Sequence, residues 1–204
     1  MKGKFITLEG IEGSGKSTNL QSIKTILDQK KIDYVFTREP GGGPLGLHLR
    51  KLLLDKDHSI SPSVEMLLMM ADRKDHVDNL INPNLKKGIW VISDRYLDST
   101  IAYQGGGRQL DINLITSLSA TLKLPTPDFT LLFDLPVDIA LQRAAQRSAL
   151  DRFEREPKDF HSRIRDSYLE LASNNQHIKI VDSSKDIKVV SKTVEKYLTD
   201  FLNA

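Results

Sequence analysis

The sequence predicts an α/β fold: a three-layer arrangement with a five-stranded parallel sheet and helices on both faces. Three observations carry that reading. Short apolar, β-branched runs alternate with stretches whose apolar residues recur at helical spacing, the pattern of successive βα units. The first run leads into Gly10-Ile11-Glu12-Gly13-Ser14-Gly15-Lys16-Ser17-Thr18, which fits a phosphate-binding loop: two glycines with four residues between them, then lysine and a hydroxyl. The 204 residues suffice for one well-buried core, and no repeat, low-complexity segment or linker divides them, so a single domain over residues 1–204 is expected.

Taken in order, strands are expected at Lys4–Leu8, Tyr34–Thr37, Trp90–Ser93, Phe129–Asp134 and Lys179–Val181. Leu20, Ile23 and Leu27 mark a helix directly after the glycine-rich loop. Val64, Leu67, Leu68 and Ala71 begin a second helical stripe that Val77, Leu80 and Ile81 extend, with Pro83 and Gly88 bracketing its end. Ile112, Ile115, Leu118 and Leu122 form a third stripe, and Ile187, Val190, Val194, Tyr197 and Phe201 a C-terminal one. Most of these side chains are expected to be core.

Composition narrows the function. With 29 basic and 27 acidic residues, the net charge of +2 gives no argument for nucleic acid. The absence of cysteine excludes disulfides and thiolate metal sites. A strand begins almost at the N-terminus, leaving no room for a signal peptide, and no apolar run approaches membrane-spanning length. A soluble cytoplasmic protein without membrane contact is expected.

In the glycine-rich loop, backbone N–H groups can converge on phosphate oxygens, and the following helix aims its positive end at the same anion. Lys16 would carry charge to the transferred phosphoryl group and the Ser17 hydroxyl would ligate Mg²⁺. Two further segments do not read as scaffold. Arg38-Glu39-Pro40-Gly41-Gly42-Gly43-Pro44 follows the second strand, at the end of the sheet where ligands bind. Residues 144–157 hold Arg147, Arg152 and Arg155 among Asp151, Glu154 and Glu156; such a run is ordinarily a solvated face, but beside a phosphate loop it suggests a mobile lid that brings arginines over phosphates.

The acceptor is read from Asp94 to Arg108. Asp94 ends an apolar run, where its carboxylate can reach the metal shell or hold the phosphate loop. Arg95 offers a planar fork suited to a second phosphate. Thr100, Tyr103 and Gln104 fall at i, i+3 and i+4 and on a helix would share one face, where a hydroxyl, a ring and an amide can read a nucleobase.

Over essentially its whole length the chain resembles bacterial thymidylate kinases, in the P-loop nucleoside monophosphate kinase family. The motifs are Gly10–Thr18, Arg38-Glu39-Pro40-Gly41-Gly42, Arg50, Asp72-Arg73, Asp94-Arg95-Tyr96, Ala102-Tyr103-Gln104-Gly105 and Asp151-Arg152-Phe153-Glu154. The resemblance implies phosphorylation of dTMP to dTDP by ATP with Mg²⁺, a step in dTTP synthesis, and a homodimer. It places Arg95 and Arg50 on the acceptor phosphate, Glu12 on the sugar 3′-hydroxyl, Arg73, Thr100 and Gln104 on the thymine edges, Pro40 near the base methyl, and Tyr103 against the 2′ position. Glu39 joins the acceptor-binding residues. Arg143 would lie against adenine, with the Asp182–Lys185 turn as the opposite wall. Some relatives carry an arginine inside the phosphate loop; Gly13 fills that slot here, so the lid must supply the transition-state cation, from Arg152 first and Arg147 second. The family's usual aromatic residue three positions before the Asp-Arg pair is replaced by Met69.

Two rivals differ in identifiable ways. A deoxynucleoside kinase would need a carboxylate, for which Glu39 could serve, to deprotonate a sugar hydroxyl; Arg50 and Arg95 instead suit an acceptor that already carries phosphate. A GTP-dependent switch would read guanine with an Asn-Lys-x-Asp sequence, which this chain lacks.

Overall fold

The computed structural model describes residues 3–57, 59–147 and 151–203; within the expected lid, the Arg147 side chain and residues 148–150 lie outside the described residues. β1 (Phe5–Glu9), β2 (Tyr34–Arg38), β3 (Trp90–Asp94), β4 (Phe129–Asp134) and β5 (Ile178–Asp182) form one sheet in the order β2-β3-β1-β4-β5, every pairing parallel. Each expected strand is present, its ends within one residue of the sequence reading. β1 is buried throughout, which is why Phe5-Ile6-Thr7-Leu8 does not alternate with charged residues. Ile6 sits level with Ile92 on one side and Phe129 on the other.

The helices are α1 (Lys16–Gln29), α2 (Gly46–Leu54), α3 (Pro62–His76), α4 (Asn82–Lys86), α5 (Leu97–Thr100), α6 (Ile112–Thr121), α7 (Val137–Arg147), α8 (Lys158–Asn174) and α9 (Ile187–Asn203). π-Helical stretches occupy Val77–Ile81 and Ile101–Gly107. Ile23 and Leu27 of α1 and Val190, Val194 and Leu198 of α9 pack with Leu8, Ile92, Leu131 and Phe133 of the sheet. Leu132 and Ile178 belong to a second cluster with Ala140 of α7 and Phe160, Ile164 and Tyr168 of α8. Successive β4 residues thus enter different cores, as period-two side-chain direction requires.

Three helical readings are corrected. Val64 and Leu67 face solvent; the inward side of α3 carries Glu65, Met66, Met70, Asp72, Arg73 and His76. The reason is that α3 walls a polar cavity, so its buried side is partly charged. Ile112 and Ile187 are likewise exposed, while Ile115, Val190 and Val194 are buried. The helical run that continues past Ile81 ends between Pro83 and Gly88 as expected, with Pro83 in the first turn of α4 and Lys86 its last residue. It ends before Gly88, whose φ of 82° suits the turn into β3.

From β1 the chain runs to one edge of the sheet and back through β3, then crosses to β4 and β5 on the other side. β1 therefore lies where the winding reverses, and the loops beyond the carboxyl ends of β1, β2 and β3 border one crevice.

Candidate active site

A cavity of about 720 Å³ lies there, lined by the Glu12–Asn19 segment, the Arg38–Pro40 loop, and side chains from α2, α3, β3 and the Ser99–Gln104 region. At its centre, Gly13 and Gly15 adopt φ values of 72° and 88°, and a Cβ on Gly13 would run into the Ala140 carbonyl. No arginine could occupy that slot without displacing α7. Lys16 folds back over the loop: its Nζ donates to the carbonyls of Gly10 (2.7 Å) and Ile11 (3.2 Å). Burial first, and the positive charge of Arg95 second, push its pKa down to about 8, against the pull of Asp94, Glu12 and Glu9. A bound polyphosphate would relieve both effects.

Arg95 follows β3 in a left-handed conformation, φ 73°, uncommon for a side chain of this size. Its guanidinium is fixed from several directions. Nη2 donates to Glu12 Oε1 (2.7 Å) and Tyr103 Oη (3.0 Å), and Nη1 donates to Ser99 Oγ and Tyr168 Oη, both at 3.2 Å. Tyr103 Oη donates in turn to Glu12 Oε2 at 2.6 Å. Behind this cluster, fully buried Glu9 accepts from the Tyr96 backbone N–H, Ser99 Oγ and Tyr168 Oη at 2.8, 2.6 and 2.9 Å. Burial, then the nearby Asp98 carboxylate, pushes Glu9 up to about 7. Arg50 donates to the Pro40 carbonyl (2.8 Å), and burial together with the charge of Arg38 lowers its pKa. Arg38, Arg50 and Arg95 all line the cavity, a cationic cluster suited to an anionic acceptor. Arg38 was not singled out as a ligand residue by the sequence reading, although its place at the carboxyl end of β2 was the available signal.

The far end of the cavity suits a base. Arg73 is fully buried and held by Glu39 Oε2 (Nε, 2.7 Å), Thr100 Oγ1 (Nη1, 2.8 Å) and the Tyr96 carbonyl (Nη2, 2.8 Å). Glu39 also meets His76 Nδ1 at 2.8 Å, and the Glu39–Pro40 peptide bond is cis. Pro40, Met69, Arg73, Thr100, Tyr103 and Gln104, which the sequence reading gathered from three segments, all line this cavity. Thr100 closes α5, whereas Tyr103 and Gln104 lie in the π-helical stretch, so the expected α-helical face is corrected: the wider turn still brings the three together. Met69 is half-buried and packs with the cluster of Tyr103 and Phe153, while Met66 is in a different core. Phe153, edge-on to Tyr103 at 5.8 Å, is a cavity residue the sequence reading quoted but gave no role.

Arg152 is placed differently from its neighbours. It does not line the cavity: Nη1 donates to Glu65 Oε2 (2.6 Å), Nε donates to the Leu53 carbonyl (2.9 Å), and the guanidinium lies 4.5 Å from the Phe153 ring centroid. Elsewhere along the lining, Arg143 donates to the Ser183 carbonyl at 2.9 Å, and Lys185 and Ile187 border the same cavity.

For a metal, Ser17 and Asp94 both line the cavity, and Asp94 Oδ1 is buried without a hydrogen-bond partner. Among the described residues no group of three or more His, Cys, Asp or Glu could enclose a metal ion. That donor set fits Mg²⁺, which takes few protein oxygens and completes its shell with phosphate and water.

A phosphate loop after the central strand of a 2-3-1-4-5 parallel sheet, facing a second cationic pocket, defines a P-loop kinase of the kind that phosphorylates nucleoside monophosphates. Sequence comparison refines the class. The family model for thymidylate kinase matches residues 8–194. The thymidylate kinase of Carboxydothermus hydrogenoformans is 47% identical over 97% of this chain and 98% of its own length. That of Ectopseudomonas mendocina is 44% identical over 100% and 99%, and that of Marinomonas sp. (strain MWYL1) 44% identical over 97% and 95%. The chain belongs to the thymidylate kinase family. Among the described residues no helix is long and apolar enough to cross a membrane.

Proposed function

We propose that the protein transfers the γ-phosphoryl group of ATP to dTMP, giving ADP and dTDP on the way to dTTP, at the cavity described above and in the cytoplasm. The observation that carries the acceptor assignment is the pairing of a cationic pocket (Arg38, Arg50, Arg95) with a base pocket closed by Arg73, Thr100 and Gln104. A phosphate oxygen of dTMP is already a competent nucleophile, so no strong general base is required, and catalysis rests on positioning and charge neutralisation. The loop from Gly10 to Thr18 cradles the donor phosphates, with Arg143 against adenine. Lys16 swings from the Gly10 and Ile11 carbonyls to the transferred group. Ser17 and Asp94 would hold the Mg²⁺ that neutralises part of the triphosphate charge. Arg95 and Arg50 fix the acceptor phosphate, Glu12 and Tyr103 bound its sugar, and Glu39, Pro40 and Met69 complete the base pocket.

The lid over residues 144–157 supplies the remaining cation from Arg152 or Arg147. For Arg152 this requires its Glu65 pair to break first. A homodimer is supported by the exposed Leu47, Val64 and Leu67 on α2 and α3, which pack against each other; light scattering should give twice the chain mass.

A coupled ADP-release assay across dTMP, dUMP, dCMP, dGMP and thymidine tests the acceptor. dTMP is expected to be best by far and dUMP second, since a missing methyl in a fitted pocket costs about 1–3 kcal/mol. Thymidine phosphorylated as fast as dTMP would make the cationic pocket irrelevant and favour a nucleoside kinase.

A further inference from the structure

Glu65 lies outside the cavity lining, fully buried in the first turn of α3, yet three side chains from other parts of the chain converge on it. Gln104 Nε2 donates to Oε1 at 2.8 Å. Arg108 donates to both oxygens at 3.2 and 3.1 Å, and Arg152 donates to Oε2 at 2.6 Å. Two guanidinium groups and a side-chain amide surround this carboxylate, and both of its oxygens are taken up as acceptors by guanidinium N–H donors.

That chemistry fixes the Gln104 amide. With arginine N–H groups donating to both Glu65 oxygens, the Gln104 group turned toward them is its NH₂, and the carbonyl oxygen is what Gln104 can offer the cavity it lines. Beside it, Arg73 presents only donors. The base pocket therefore shows one acceptor next to a set of donors. Thymine, attached through N1, has a single ring donor, N3–H, flanked by carbonyl acceptors. Cytosine reverses the pattern at N3 and at the adjacent exocyclic group.

We propose that Glu65 is a specificity-determining positioning residue: by locking the Gln104 amide it makes the pocket accept N3–H and reject a pyrimidine whose N3 is an acceptor. This rests on dTMP being the acceptor. The π-helical stretch serves the arrangement, since it turns both Gln104 and Arg108 onto one carboxylate. Arg152 on the same carboxylate ties the lid to the residue that sets base selection.

The test compares kcat/KM for dTMP and dCMP in wild type, Glu65→Gln, Gln104→Ala and the double variant, with melting temperatures alongside. Glu65→Gln should lower the dTMP-to-dCMP ratio about tenfold, because a freed amide can turn its NH₂ toward cytosine N3. Gln104→Ala should lower it comparably, and adding Glu65→Gln should lower it no further. The ratio is the chosen readout because loss of fold or of a lid cation slows both acceptors alike. A fall in both rates at an unchanged ratio would overturn the proposal, as would an undiminished Glu65→Gln effect in the Gln104→Ala background. If Glu65→Gln fails to fold, Glu65→Asp keeps the charge while drawing it back from Gln104; the ratio should still fall, and an unchanged ratio would again overturn the proposal. A wild-type enzyme that did not prefer dTMP would instead break the acceptor assignment itself.

Discussion

On the acceptor side of the cavity, Arg73 and Arg95 each hold four partners, and Glu65 behind them holds three. On the donor side, Arg143 meets the Ser183 carbonyl, Ile187 stands half exposed, and Arg152 is turned toward Glu65. On the proposed function, the first half is built before ligand arrives and the second is completed by movement of the lid. Preorganised dipoles and charges cost no rearrangement at the moment of reaction, which suits the half that selects the acceptor. A donor half that closes late excludes water only when both substrates are present.

The largest test of this contrast is Arg152→Ala. If the lid completes the donor half, kcat should fall on the order of 10³-fold while the ATP dissociation constant stays within a few-fold, since the arginine meets charge that develops only in the transition state. Single-turnover kinetics beside equilibrium titration would separate the two quantities. Near wild-type kcat in both Arg152→Ala and Arg147→Ala would leave the lid without a catalytic cation.

The built half can be probed through Glu9, the carboxylate beneath Arg95. Its folded pKa, pushed up to about 7, lies above the ordinary glutamate value of 4.5, so its contribution to stability is full below pH 4.5 and is lost as pH rises through 7. A displacement of that size corresponds to on the order of 2–3 kcal/mol. Glu9→Gln removes this slope. Urea unfolding at pH 5 and pH 8 should show the variant gaining about that much relative to wild type between the two. Asp72, pushed up to about 6 by burial and by Glu39, titrates alike in both proteins and drops out of the difference. Parallel pH profiles would mean that Glu9 is not strained by its surroundings.

The smallest effect concerns Met69, which lines the cavity with a flexible thioether where the family resemblance leads to the expectation of a ring. Met69→Ala should weaken dTMP by about 1–3 kcal/mol through lost apolar contact. Met69→Phe should tighten it by under about 1 kcal/mol, the ranges for ring–ring and sulfur–ring contacts overlapping. Isothermal titration settles both; unchanged dTMP affinity in Met69→Ala, with a lowered melting temperature, would make Met69 ordinary core.

The strands and the phosphate loop were legible because each rests on local pattern, an apolar run or a glycine spacing, whereas the roles of Pro40, Arg50, Met69, Arg73 and Arg143 came only from the family resemblance. Glu65 and Glu9 were not legible. A charged residue beside Val64 and Leu67 reads as the wet side of a helix, and only the arrival of Gln104, Arg108 and Arg152 from distant segments makes Glu65 an interior group. The same blindness reversed α3, where the exposed apolar pair was taken for core. Arg152 was expected as a lid residue, and its direction in the structure depends on a partner 87 positions away.

The Glu12–Arg95 pair carries one more consequence. An incoming anion does not find a bare cation; it must displace a carboxylate 2.7 Å from the guanidinium. On the proposed function, the sugar hydroxyl of the nucleotide can donate to the Glu12 carboxylate that its phosphate displaces. The pair thus sets a threshold at Arg95: an anion that brings no donor for Glu12 leaves that carboxylate without its guanidinium partner.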